Sequence, residues 1–88
     1  MSLSLEALFR IDEFYAYARL CNKGIVGART REISGVYRRK HPHDPRGPDC
    51  CWVEAKDKEG TLLYPICRWD DYKNFLHGKI TLDQIRKL

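Results

Sequence analysis

Between residues 4 and 22 apolar side chains recur at helical spacing. At about 100° per residue, Ala7, Leu8, Ile11, Phe14, Tyr15, Ala18 and Cys21 share one broad face. Glu6, Arg10, Glu13 and Tyr17 line another, and Leu5, Phe9, Ala16 and Leu20 form a second apolar stripe. The predicted helix is apolar around more of its circumference than one small sheet covers. Either the domain wraps it, or a partner covers the second stripe. Gly24 is placed to stop the helix as its C′ residue.

Beyond the helix the period changes. Residues 25–34 have no clear pattern, and the chain reads as extended from about Ser34 to Lys40. From Cys50 to Lys56 the alternation is regular: Cys51, Val53 and Ala55 on one face, Trp52, Glu54 and Lys56 on the other. Residues 41–49, with Pro42, Pro45 and Pro48, read as a long loop before that strand. "DKEG" then predicts a tight turn with Gly60 in a left-handed position. Thr61 to Cys67 returns, with Leu62, Tyr64 and Ile66 alternating against Leu63, Pro65 and Cys67. Pro65 has no N–H for a ladder, which puts this strand at an edge.

Two short helices are predicted to follow. Asp70 or Asp71 can cap the first, at about 70–77, whose inner face is Tyr72, Phe75 and Leu76 and whose stop is Gly78. Thr81 with Gln84 three residues on has the form of a capping box, which predicts a helix over about 82–88. The expected fold class is α+β: an N-terminal helix, a three-stranded antiparallel sheet over about 34–67, and two short C-terminal helices in a single domain, 1–88.

At 88 residues one domain is expected, and 43% apolar with 32% charged residues is ordinary for a globular chain. No apolar run is long enough for a membrane span. The first residues, MSLSLEALFRIDEF, carry acids where a secretory signal has its apolar core. A cytoplasmic protein with reduced thiols is the expectation. Charge changes the picture more. The net +4 is uneven, because Lys23 to Arg46 holds seven basic residues against two acids. Such a segment is either a polyanion-facing surface or a solvated face.

His41, His43, Cys50, Cys51 and Cys67 are the candidate metal donors. A structural zinc site wants four donors, usually in Cys-x-x-Cys knuckles, and none exists here. Adjacent Cys50 and Cys51 in a strand point to opposite faces. No structural metal and no cofactor is expected. A Cys67, His77 and Asp70 arrangement can be drawn for catalysis, but no nucleophile elbow, phosphate loop or paired-carboxylate motif supports it, so a non-enzymatic role is expected. The basic constellation is richer. Arg38, Arg39 and Lys40 stand on the first strand, Trp52, Glu54 and Lys56 share one face of the second, Lys58 lies in the turn and Arg68 follows the third. Arg and Lys suit phosphates, while Trp and Glu can reach base edges or stack on an unpaired base. The alternative is that Trp52 packs under the C-terminal helix and the charges only solubilise.

Residues 35–78, "SGVYRRK…CWVEAKDKEGTLLYPICRWDDYKNF", resemble AP2-type DNA-binding domains and the arm-binding domains of tyrosine-recombinase integrases. The likeness rests on Gly35-Val36, Asp57…Gly60 and Trp69-Asp70. It differs at Cys51, which stands where that family has its tryptophan, and in the longer loop from His41 to Asp49. The resemblance implies a sheet docked into the major groove of duplex DNA, with Arg39, Glu54 and Lys56 in contact. Nucleic-acid binding through Arg38, Arg39, Lys40, Trp52, Glu54, Lys56 and Arg68 is the leading expectation. It needs Arg38, Lys56 and Arg68 on one continuous face. The alternative is an adaptor module that forms a homodimer through Leu5, Phe9 and Leu20, and it needs their stripe exposed.

Overall fold

The computed structural model describes residues 5–26 and 32–88 of the chain. The element order is α1 (Leu5–Val26), β1 (Glu32–His41), β2 (Asp44–Asp57), β3 (Gly60–Arg68), α2 (Trp69–Leu76) and a 3₁₀ turn at Leu82–Gln84. The three strands form one antiparallel sheet in the order β1-β2-β3. The fold class is α+β. No helix among the described residues is long and apolar enough to cross a membrane.

The core lies on one side of this sheet. From β2, Cys51, Val53 and Ala55 are fully buried, as the alternation predicts. They are small, and the helices supply the bulk against them. Phe14 of α1 is fully buried, with its ring centroid 4.7 Å from Tyr72 and 6.4 Å from Phe75, both on α2. Ala18 of α1 is also fully buried, and its carbonyl accepts a 2.8 Å hydrogen bond from the Tyr64 hydroxyl of β3. Arg10 joins the helices by donating to the Phe75 carbonyl at 3.1 Å and lying 5.3 Å from that ring's centroid. Leu5, Phe9, Ala16 and Leu20 remain exposed.

Three sequence expectations change. The helix does not stop at Gly24 but continues to Val26, since one internal glycine costs only about 1 kcal/mol. The proline-rich stretch is not a long loop. His41 pairs directly with Asp44 across a short turn at Pro42-His43, and residues 45–48 stand opposite no residue of β1 before Asp49 pairs with Lys40. The Asp44 carboxylate folds that excursion by accepting the Arg46 N–H at 3.0 Å. At the end of the chain, the predicted helix over 82–88 is a single 3₁₀ turn. The Thr81 N–H does donate to Gln84 Oε1 at 2.8 Å, as the capping pattern requires. Beyond it Ile85 turns into the core, Lys87 bridges to Cys67, and the Leu88 N–H donates to the Ile66 carbonyl. Backbone groups that a helix would use are taken by β3 instead.

β3 carries a bulge. Cys51 pairs with Cys67 but Trp52 pairs with Pro65, so Ile66 is the extra residue. The bulge shifts the alternation by one, and Tyr64, Ile66 and Cys67 are all buried. Two glycines have conformational roles: Gly60 closes the β2–β3 hairpin at φ +141°, and Gly78 follows α2 at φ +76°. Around Gly78 the Lys79 N–H reaches the Asn74 carbonyl and the Gly78 N–H reaches the Phe75 carbonyl, a Schellman closure. α2 itself starts one residue early, after Arg68, with Asp70 and Asp71 in its first turn rather than at the cap.

Because Phe14 joins α1, α2 and the sheet, Phe14→Ala is expected to cost roughly 3–5 kcal/mol. Tyr64→Phe, which removes one hydrogen bond, is expected to cost about 0.5–1.5 kcal/mol. Urea unfolding of the two variants measures both. Equal costs would show that the aromatic cluster does not hold the helices.

Candidate nucleic-acid interface

Both helices pack on the core side, so the opposite face of the sheet carries no helix. The strand register shows which predicted residues reach it. Arg39 pairs with Cys50, and Cys50 with Arg68, so one row across the sheet sets two arginines either side of a fully buried cysteine. At about 4.8 Å per strand the two backbones are roughly 10 Å apart. The next row on this face is Tyr37, Trp52 and Pro65, then Gly35, Glu54 and Leu63, then Glu32, Lys56 and Thr61.

The basic triplet is split by the strand's own alternation. Arg38 pairs with buried Cys51 and therefore lies on the helix side. Its guanidinium is 5.9 Å from the Trp69 ring centroid of α2. Its Nε donates to Asp49 Oδ2 at 2.8 Å, and Lys40 Nζ is 3.1 Å from Asp49 Oδ1. The expectation that Arg38, Lys56 and Arg68 share one face is therefore corrected: Arg39 takes the place of Arg38, and Lys40 joins Arg38 around Asp49. Hydrogen bonds from Lys40 and then Arg38 hold the Asp49 carboxyl below its ordinary range. Arg29 and Arg31, counted in the basic middle, lie outside the described residues.

Trp52 does not pack under a helix. It is half-buried on the helix-free face, its indole N–H donates to the Lys40 carbonyl at 3.1 Å, and the Arg39 guanidinium stands 5.5 Å from its ring centroid. Tyr37, 44% exposed, lies beside it in the same row. Sequence reasoning passed over Tyr37, although counting by two from Arg39 would have found it. Glu54 is bound within the face. It accepts from Ser34 Oγ at 3.0 Å and from the Tyr37 hydroxyl at 3.2 Å, and Lys56 Nζ is 3.5 Å away. The Ser34 hydrogen bond is the largest cause of its lowered carboxyl pKa. Of the residues that the resemblance implies, Arg39 stands over Trp52, Lys56 is ion-paired with Glu54, and Glu54 organises its neighbours. Lys58 sits exposed at the hairpin turn.

The other candidates are dispersed. Cys67 is buried in the core, while Asp70 and His77 are exposed on the surface of α2, about 10 Å apart along the chain at 1.5 Å per residue. His41 and His43 face each other at 6.2 Å at the β1–β2 turn, beyond the Arg39–Cys50 pair, and His41 Nδ1 accepts the His43 N–H. Among the described residues no three His, Cys, Asp or Glu side chains are grouped to hold a metal. A hydrogen bond to Cys67, then burial, pushes the Cys51 thiol well above its ordinary value, and burial raises Cys50 and Cys21 too.

Comparison with protein-family models, with curated proteins and with solved structures finds no match to this chain.

Two measurements follow from this geometry. Asp49 is depressed in the folded state, so the stability it contributes is present above the unfolded carboxylate pKa and is lost as pH falls through the folded value. In an NMR titration Arg38→Ala is expected to move the Asp49 midpoint upward; an unmoved midpoint would mean that Lys40 alone sets it. Thiol titration of the native protein is expected to modify half-buried Cys21 first, and Cys50, Cys51 and Cys67 only on unfolding.

Proposed function

We propose that this chain is a small non-enzymatic nucleic-acid-binding domain that lays the helix-free face of its sheet into the major groove of duplex DNA. One observation carries the reading: Arg39, Arg68 and Lys56 project from a single uncovered face that also presents Trp52 and Tyr37. A three-stranded face is about 10 Å across its backbones, and the major groove is about 12 Å wide. Arg39, Arg68 and Lys56 outnumber the carboxylates of this face, Glu54, which is bonded within it, and Glu32 beside Lys56, which lies 3.8 Å from Arg19, and this gives the face the sign that phosphates require. With Arg39 over the Trp52 ring, an unpaired base would have to displace a cation to stack there, which favours duplex over single strand.

A protein-interaction module is the second reading. Its own observation is the outward stripe of Leu5, Phe9, Ala16 and Leu20, which the rest of the described chain leaves uncovered. A homodimer through Leu5, Phe9 and Leu20 is one form of it.

The DNA reading is tested by a salt series on duplex and single-stranded DNA. Three phosphate contacts correspond to a log–log slope of about −2.7 on duplex. Arg39→Ala is expected to weaken binding by roughly 1–3 kcal/mol if it reads a base bidentately, and to relax sequence preference. Lys58→Ala, at the turn tip, and Arg38→Ala, on the other face, are expected to matter less. Equal small effects of Arg39→Ala and Lys58→Ala on every nucleic acid tried would leave the basic face merely solvated.

A further inference from the structure

The outward face of α1 is apolar along its centre, with Glu6 and Glu13 along one flank and Asp12 and Arg19 along the other. Leu5 is 76% exposed, Phe9 68% and Leu20 71%. From Leu5 to Leu20 the stripe runs about 22 Å at 1.5 Å per residue. Exposed apolar side chains aligned on one helix stripe and rimmed by charge are the pattern of an interaction site. Phe9 also forms one wall of a groove of about 570 Å³ between α1 and the 3₁₀ turn, whose charged lining residues are Glu6, Glu13 and Asp83 with one cation, Arg10. Glu6 is shared with Arg10 at 3.8 Å. Glu13 and Asp83 have no ion-pair partner among the described residues.

We infer that this face docks a basic amphipathic helix of another protein, with apolar side chains on Phe9 and Leu20 and Lys or Arg against Glu13 and Asp83. The inference rests on the protein-interaction reading and names its partner. Three arguments select that partner. The walls of the groove are side chains, with no strand edge to extend, so an occupant must satisfy its own backbone, as a helix does. The carboxylates call for cations opposite them, since like charges across an interface are disfavoured. A second copy supplies the wrong sign. In an antiparallel twofold pairing of α1, the edge carrying Glu6 and Glu13 meets its own copy; in a parallel one, that edge meets the edge carrying Asp12 at the height of Glu13. Both set carboxylate against carboxylate at Glu13, and Arg19, the cation on the Asp12 edge, is already drawn to Glu32 at 3.8 Å.

The test uses the full chain and two synthetic 18-residue amphipathic peptides of one apolar pattern, flanked by Lys and Arg in one and by Glu in the other. Binding is read by fluorescence anisotropy at two salt concentrations. The basic peptide is expected to bind at least tenfold more tightly than the acidic one, and to weaken with salt. Glu13→Lys with Asp83→Lys is expected to abolish or reverse that preference, and Phe9→Ser to weaken the basic peptide by at least tenfold. All three positions are exposed, and an unchanged thermal midpoint and circular dichroism spectrum confirm that each variant is folded. Equal binding of the two peptides, or a preference for the acidic one, overturns the basic-helix inference while leaving an interaction face. Self-association in sedimentation that Phe9→Ser removes assigns the face to a second copy and overturns it as well. No binding of either peptide and no self-association overturns both the inference and the reading beneath it.

Discussion

The central strand turns only small side chains inward. Cys51, Val53 and Ala55 leave the sheet's covered face shallow, and the rings of Phe14, Tyr72 and Phe75 fill the depth that they lack. A core close-packed in this way needs both helices on the same side. The Tyr64–Ala18 hydrogen bond and the Arg10–Phe75 contact fix the helices to the sheet and to each other on that side. With both helices held on that side, neither is left to cover the other face, and Trp52, Glu54 and Lys56 of β2 look outward as a consequence. The bareness of that face follows from how the core is filled.

Much of this was legible in the chain. The inward set of β2 follows from simple alternation, the hairpin from "DKEG", and the turn at Thr81 from Gln84 three residues on. Other features were hidden for identifiable reasons. The bulge at Ile66 reverses the parity of β3, and nothing in "TLLYPICR" marks it except an apolar run too dense to alternate. The prolines between residues 42 and 48 read as loop, although a strand can be continued by irregular pairing around them. A run of like charges, Arg38-Arg39-Lys40, invites reading as one patch; in a strand it must divide between two faces. The helix after Thr81 was outcompeted by tertiary bonds to β3, which no local pattern encodes.

The charges are also divided by side. The sheet's free face is cationic, whereas the exposed face of α1 is apolar with carboxylates along it. These surfaces lie across the domain from each other, with the core between, and the domain is 26 Å through at its narrowest extent. Neither would obstruct the other, so a partner at the helix and a polyanion at the sheet could be held together, the domain serving as a joint between them. At about three Debye lengths in physiological salt, the charge of one surface has little influence at the other.

The last residues have a further consequence through the edges of the sheet. An unpaired strand edge is a template on which another chain can add, and small sheets are prone to stack by that route. Here Lys87 bridges Cys67 and the Leu88 N–H takes the Ile66 carbonyl, so part of the outer edge of β3 is already occupied. Pro65 removes one more donor from that edge. The opposite edge belongs to β1, where the bulge at Ser34 and the consecutive cations Arg38, Arg39 and Lys40 interrupt any flat, neutral run. A second copy arriving there would bring its own cations alongside. One edge is partly closed by backbone and the other interrupted by a bulge and by charge, so neither offers a long, flat, neutral run for another strand to join.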